Sequence, residues 1–207
     1  MNSNKMRHIL KWTLLIVALI IALPSAAATP AAELKATVDK LAAAKSVKAQ
    51  FTTTAGGHTV GGTLLSKGSK FSITMAGAGS WYDGKTLTTY SKANGEATMW
   101  IPTKSELAET NPLLYLSTYA DYNVATEKGK AGENVFVLTP KKRASGVKSV
   151  KVTVNSSTKL PKSLRIATGS EVYTVTIKSM TLNAAIADGS FTFPKKSYPG
   201  VTVTDLR

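Results

Sequence analysis

The residues that could do chemistry on a substrate are few in this 207-residue chain. It contains no cysteine, and of its two histidines only His58 lies outside the N-terminal stretch described below. His58 follows a pair of glycines, which favours an exposed turn. With no thiol and one such histidine, neither a transition-metal site nor a histidine-activated nucleophile is expected. We therefore expect no enzymatic activity and no cofactor.

The carboxylates give no paired acid and base either. Asp83 and Asp188 each precede a glycine, which is typical of turns, and the other acidic residues are scattered along the chain. No G-x-S-x-G nucleophile elbow occurs. The apolar side chains therefore carry the functional information, and the elements that hold them decide what they can bind.

Two kinds of periodicity organise the apolar residues. Residues 30–44 predict one amphipathic helix, because Leu34, Val38 and Leu41 recur at helical spacing. From Val47 onward the period becomes two, which indicates strands with one buried face. The segments that show this alternation best are residues 70–75, 148–154, 172–177 and 191–193.

Turn signals separate these segments at short intervals. Asp83-Gly84, Asn94-Gly95 and Asp188-Gly189 supply residues that tolerate positive φ, as tight hairpins require. The spacing predicts an antiparallel sheet of roughly ten strands. A sheet of this size usually curls or closes, so we expect a mostly β fold built on a curved sheet.

The alternation is interrupted between residues 102 and 119. Thr103 and Glu106 fit a capping box, and Asn111-Pro112 fits an N-cap followed by proline at the first helical position. The segment predicts two short helices between strands, which would form a helical cover on the curved sheet.

The first 28 residues have the pattern of a secretory signal peptide. Lys5, Arg7 and Lys11 precede an apolar run of about 12 residues, too short for the ~20 that span a bilayer. A small-residue cleavage signal follows and ends at Ala28. We expect export to the periplasm, cleavage after Ala28, and one domain over residues 29–207. Because no cysteine stands at the cleavage site, the protein is not expected to carry a lipid itself.

The chain is strongly basic. Its formal net charge is +14, and the three cations of the signal peptide leave +11 for the exported part. Nucleic acid is the usual partner of so basic a protein, but export argues against it. A solvated basic surface is one interpretation, and attraction to anionic membranes or acidic partners is the other.

Several motifs resemble the outer-membrane lipoprotein carrier (LolA-type) family, and they occur in the family's order along the chain. They are Gln50-Phe51 after the first helix, Gly62-Thr63-Leu64 with Lys70-Phe71, Asp83-Gly84-Lys85 with Tyr90, Asn111-Pro112-Leu113-Leu114, Val135 to Pro140, which is similar to the family's V-x-L-x-P strand, Phe191-Thr192-Phe193, and Pro199-Gly200-Val201-Thr202-Val203.

The resemblance implies a half-open barrel that encloses an apolar cavity for acyl chains. It implies that the cavity and its helical lid are formed by Leu34, Val38, Leu41, Phe51, Phe71, Ile73, Met75, Trp81, Leu87, Met99, Ile101, Leu107, Leu113, Leu114 and Leu116. Typical members carry an arginine directly after the Lys-Phe pair, which ties the sheet to the lid. Here that residue is Ser72, so no gating residue is carried over.

The resemblance also implies the partners. The cargo would be acylated lipoproteins, delivered by an ATP-driven lipoprotein-releasing complex of the inner membrane and passed to an outer-membrane acceptor, with the carrier acting as a monomer. Two other functions remain open: a static lipid- or glycolipid-binding module of the envelope, and an enzyme acting on envelope polymers.

Overall fold

The computed structural model describes residues 28–142 and 146–207. Three α-helices are present in this part of the chain: α1 Pro30–Ala42, α2 Lys104–Thr110 and α3 Leu114–Ser117. The strands are β1 Val47–Ala55, β2 His58–Lys67, β3 Lys70–Met75, β4 Ala78–Tyr82, β5 Leu87–Ser91, β6 Glu96–Trp100, β7 Tyr122–Glu127, β8 Glu133–Pro140, β9 Val147–Asn155, β10 Pro161–Thr168, β11 Val172–Leu182 and β12 Thr202–Asp205. The predicted signal peptide lies outside the described residues.

All twelve strands form one sheet, in the order β12-β6-β5-β4-β3-β2-β1-β11-β10-β9-β8-β7. Its end strands, β12 and β7, do not pair with each other, so the predicted half-open barrel is confirmed. The number of strands exceeds the predicted ten. One pairing also differs from the antiparallel prediction: β12 runs parallel to β6, with Val203 opposite Ala97. Since the chain returns to this edge from β11 through a long irregular segment, nothing constrains it to arrive in the antiparallel direction.

Helix α1 begins where the sequence predicts. The side chain of Thr29 accepts a hydrogen bond from the amide of Ala32, and Pro30 occupies the first turn, where its missing N–H costs nothing. The helix buries Leu34 and Thr37 and packs next to β7. It ends at Ala42, two residues before the predicted end. The ammonium group of Lys40 donates to the carbonyl of Thr158 at 2.7 Å, which ties the helix to the turn between β9 and β10.

The core lies on the concave face of the sheet. Alternate residues of each strand reach it, as in β9, where Val150, Val152 and Val154 are fully buried. Phe136 on β8 and Leu164 on β10 join the same cluster. Period-two burial therefore holds where the sequence predicts it.

The interruption between β6 and β7 forms α2 and α3. The predicted capping box is present, since Thr103 caps the amide of Glu106 and the Glu106 carboxylate accepts from the amide of Thr103. The second helix starts later than predicted, at Leu114. Asn111 ends α2, and its side-chain oxygen accepts from the amide of Leu113 at 3.1 Å, which forms a turn at Pro112 instead of a helix start.

The C-terminal segment covers the other face of the sheet. Trp81 of β4 packs edge-on against Phe193 and Tyr198, with ring centroids 5.2 and 5.9 Å apart. Residues 191–193 are therefore not the predicted strand: Asp188–Phe191 is a 3-10 turn, and Phe193 follows it as an aromatic anchor. The apparent alternation reflects Phe191 and Phe193 both packing on the sheet, rather than a hydrogen-bonded ladder.

Candidate functional site

An apolar cavity of about 180 Å³ lies between the concave face and the link from α2 to α3. Strands β1, β2, β3 and β11 supply most of its wall, with Phe51, Ile73 and Val175 among the lining side chains. Pro112 and Leu113 close it from the helical side. The site is thus a space between a rigid sheet and a short irregular cover.

A glycine makes room for two large side chains of this wall. Gly62 pairs with Phe51 on one side and with Met75 on the other, so all three positions share the concave face. A Cβ atom at position 62 would stand 2.5 Å from Phe51 Cζ and 2.8 Å from Met75 Cγ. Any side chain at position 62 would therefore compete with Phe51 and Met75 for the space they occupy.

The cavity is small compared with an acyl chain. A dry aliphatic cavity of about 150 Å³ holds one benzene molecule, so this cavity accepts only a short piece of a fatty acyl chain. Binding of a long chain thus requires the cover over the sheet to move outward.

The cover is suited to such movement. Helix α2 buries none of its seven residues, and α3 is a single turn without a side-chain cap at its start. Leu107, Leu113 and Leu114 are only partly buried against the core. Elements with few buried contacts open most readily in native proteins.

One tyrosine, Tyr173, lines the cavity, and Tyr115 lies in the hydrophobic core beside it. Burial raises the pKa of Tyr115 well above its usual range, and the neighbouring Tyr173 and Tyr122 add to the shift. Burial also raises the pKa of Tyr173, which lines the cavity. The two phenols interact with each other, and the Glu109 carboxylate disfavours ionisation of both. The cavity near Tyr173 therefore combines neutral hydroxyl groups with one carboxylate.

The structure brings together four of the residues that the resemblance assigns to the cavity: Phe51, Ile73, Met75 and Leu113 line it. A second group lies in the surrounding hydrophobic core without lining the cavity. It consists of Leu34, Val38, Leu41, Phe71, Leu87, Leu107, Leu114 and Leu116. Their role in binding an acyl chain stays a prediction that depends on opening of the cover.

Three assigned residues lie elsewhere. Trp81 and Met99 line a different space of about 370 Å³, between the outer face of the sheet and the C-terminal segment. Trp81 pairs with Thr88, and Thr88 with Met99, so all three side chains share that outer face. Ile101 follows β6 and is 58% exposed. Both faces of β4–β6 are covered, so an apolar residue there does not identify the concave face.

Ser72 also lies on the outer face. It falls between Phe71 and Ile73, which reach the core, and it pairs with Trp81. Because successive strand residues point to opposite faces, a side chain at position 72 cannot reach α2 or α3. The sheet-to-lid tie of typical members has no counterpart at this position.

The resemblance omitted several residues that line the cavity. They are Ala49, Thr53, Leu64, Glu109, Thr110, Pro112, Tyr173, Val175 and Ile177. Those on β1 and β11 lie on the same face of the sheet as Phe51. The alternation of the two strands could have identified them once β1 and β11 were known to be neighbours. No pattern in the sequence indicates that pairing, which joins residues more than a hundred positions apart.

One stretch matches a phosphate-binding motif by spacing alone. Residues 79–86 read G-S-W-Y-D-G-K-T, which fits G-x-x-x-x-G-K-T. That motif requires a loop between a strand and a helix N-terminus, with free backbone amides. Here the stretch is the β4–β5 hairpin, and Asp83 Oδ1 accepts from the amides of Lys85 and Thr86 at 2.8 and 2.7 Å. The match carries no phosphate site.

Two further features of the described residues concern metal binding and membrane insertion. Within residues 28–142 and 146–207, no group of three or more His, Cys, Asp or Glu side chains is placed to hold a metal ion. In the same part of the chain, no helix is long and apolar enough to cross a membrane.

The fold and the cavity define a half-open β-barrel with an apolar site under a helical cover. The family model of the outer membrane lipoprotein carrier protein LolA matches residues 25–170, and the chain belongs to this family. No curated protein matches the sequence.

Several solved structures are similar to this chain at low sequence identity. An uncharacterized conserved protein from Thermus thermophilus has a TM-score of 0.57 and 9% identity, covering 86% of this chain and 99% of that one. A DUF1329 family protein from Desulfovibrio piger has a TM-score of 0.49 and 13% identity, covering 81% of this chain and 99% of that one. A LolA superfamily protein from Nitrosomonas europaea has a TM-score of 0.41 and 16% identity, covering 80% of this chain and 98% of that one.

Proposed function

We propose that this protein carries the acyl chains of lipoproteins through the periplasm, from the inner to the outer membrane. Family membership supports a lipid-binding protein of the cell envelope. The observation that carries the proposal further is the apolar cavity bounded by Phe51, Ile73, Met75 and Leu113, beneath a cover whose first helix, α2, buries none of its residues.

The energetics explain why the cover matters. Each buried methylene contributes ~0.8 kcal/mol, so a triacyl anchor of about 45 methylenes amounts to roughly 35 kcal/mol. A carrier must offer comparable apolar surface when loaded and hide it when empty. Leucine and methionine side chains at the cavity can pack on each other in the closed state and on acyl chains in the open state.

The proposal includes a cellular location and partner proteins. Residues 1–28 would be removed on export, leaving one periplasmic domain of residues 29–207. A carrier that does not hydrolyse nucleotides needs an ATP-driven inner-membrane complex as donor and an outer-membrane protein as acceptor. Neither nucleic acid nor a second copy of the chain is required.

Binding of an uncharged fluorescent probe and its displacement by an acylated peptide test the proposal. Thr53 lines the cavity from a half-exposed position, so Thr53→Trp should fill the cavity and weaken probe binding about tenfold or more. Thr54→Trp is the matched control, because Thr54 is exposed on the opposite face of the same strand. Absence of probe binding to the unmodified protein, or equal loss in both variants, would count against the cavity as the binding site.

A further inference from the structure

We infer that the polar part of the cargo lies in a groove beside the cavity, and that Glu109 at the junction selects an acyl chain attached through a peptide amide over one ending in a free carboxylate. This inference rests on the proposed binding of acyl chains. It concerns the groove between α2 and the adjoining ends of β7, β8 and β9, which we call the polar groove.

The polar groove has the composition that a peptide requires. Its volume is about 450 Å³, and its walls combine Lys104, Asp121, Lys141 and hydroxyl side chains with the apolar residues Ala108, Pro140 and Val147. A peptide backbone alternates N–H donors with C=O acceptors. Walls that carry both ammonium and carboxylate groups can satisfy both, whereas a site for a phosphate headgroup needs donors and cations alone.

The groove and the cavity meet at one residue. Among the described residues, Glu109 is the one that contributes to the walls of both spaces. Beside it, Tyr115 of the groove interacts with Tyr173 of the cavity. An amphiphile whose chain lies in the cavity would therefore pass its head group next to Glu109 and the two phenols on its way into the groove.

The chemistry of that junction discriminates between head groups. A carboxylate accepts a hydrogen bond from the N–H of an acyl amide, and charge-assisted bonds of this kind are among the stronger ones. The carboxylate of a free fatty acid would instead stand beside the like charge of Glu109, and like charges at close range repel each other. Glu109 is thus a specificity-determining residue.

The test uses the complete exported chain, the uncharged fluorescent probe, and two competitors with the same chain, palmitate and an uncharged N-palmitoyl dipeptide amide. The palmitoyl peptide should displace the probe at a concentration about tenfold lower than palmitate, equivalent to about 1.4 kcal/mol. Glu109→Gln should reduce this preference to less than about threefold, when both competitors are measured against the variant's own affinity for the probe. Glu33→Gln, which removes an exposed charge on α1, should keep the full preference.

A second readout locates the peptide. Since the chain has no cysteine, Ser105→Cys on α2 and Ala93→Cys in the β5–β6 turn each provide one thiol. A palmitoyl peptide with a maleimide on its third residue should label Ser105→Cys at least tenfold faster than Ala93→Cys.

The outcomes separate the two proposals. If the probe fails to bind, the acyl-binding function and this inference both fall. If the probe binds but both competitors displace it equally, or Glu109→Gln keeps the preference, or both thiols react at the same rate, the junction and groove are wrong while the cavity stands.

Discussion

Phe51 lies over Gly62 on the concave face of the sheet, where a Cβ atom at position 62 would approach Phe51 Cζ to 2.5 Å and the backbone oxygen of Thr74 to 2.9 Å. The cavity wall therefore depends on a residue without a side chain. The ring of Phe51 can move to relieve such a contact, but the backbone oxygen of Thr74 cannot.

Gly62→Ala tests this relationship. The added methyl group should lower the free energy of unfolding by about 1–3 kcal/mol, as overpacking does, and weaken probe binding. Gly61→Ala is the control, because its nearest contact, the carbonyl oxygen of Phe51, would lie 4.0 Å from the new Cβ. Chemical denaturation of both variants gives the comparison. Equal effects at the two positions would show that the crowding at Gly62 is relieved without cost.

The cover should behave differently from the core. Because Leu113 and Leu114 are only partly buried, the double substitution to alanine should cost less than the ~2–5 kcal/mol typical of each core leucine, yet reduce acyl-peptide binding strongly. Leu116→Ala should cost the full core amount, since Leu116 is 1% exposed. Thermal melting and acyl-peptide titration of the same variants measure both quantities. A large loss of stability with unchanged binding would identify Leu113 and Leu114 as ordinary core residues.

Amide exchange provides an independent test of the cover. Residues 113–119 should exchange faster than residues 150–154, because the first segment has short helices and few buried side chains, while β9 lies inside the sheet between β8 and β10. Equal protection of the two segments would argue that the cover opens only when the whole protein unfolds.

Thr37 offers a stabilising substitution. Its hydroxyl is fully buried in α1 and has no hydrogen-bond partner, so Thr37→Val should raise the free energy of unfolding by about 1 kcal/mol. Thr110→Val is the control, since the Thr110 hydroxyl donates to the carbonyl of Glu106 at 2.7 Å, and its removal should not stabilise. The contrast can be measured by urea denaturation. A higher free energy of unfolding in both variants, or in neither, would contradict the difference in hydrogen bonding between Thr37 and Thr110.

Alkaline pH should destabilise the fold through Tyr115. Burial raises the pKa of Tyr115 above that of an unfolded tyrosine, about 10. The contribution of neutral Tyr115 to the free energy of unfolding is therefore complete below pH ~10, and it is lost as the pH rises toward the pKa of Tyr115 in the folded protein. The melting temperature should fall above pH ~10, and Tyr115→Phe should reduce that fall relative to Tyr90→Phe on the outer face. Identical pH profiles for the two variants would exclude Tyr115 as the cause.

Local features of the fold could be predicted from the sequence, whereas contacts between distant parts of the chain could not. The capping box at Thr103 and the alternation of Val150, Val152 and Val154 are local, and both were confirmed. Trp81, which the resemblance assigns to the cavity, lies on the outer face, and alternation alone shows that two faces exist without saying which one is concave. The parallel pairing of β12 and the contact of β1 with β11 join distant parts of the chain, so no local pattern could reveal them.

The central claim is that the cavity holds the acyl chains of lipoproteins, and mass spectrometry of the protein purified from its own periplasm tests it most directly. We predict that the isolated protein carries an acylated lipoprotein, and that Thr53→Trp carries much less of it than Thr54→Trp. Bound phospholipid alone would indicate a static lipid-binding module, and a protein that never carries any lipid would contradict the account.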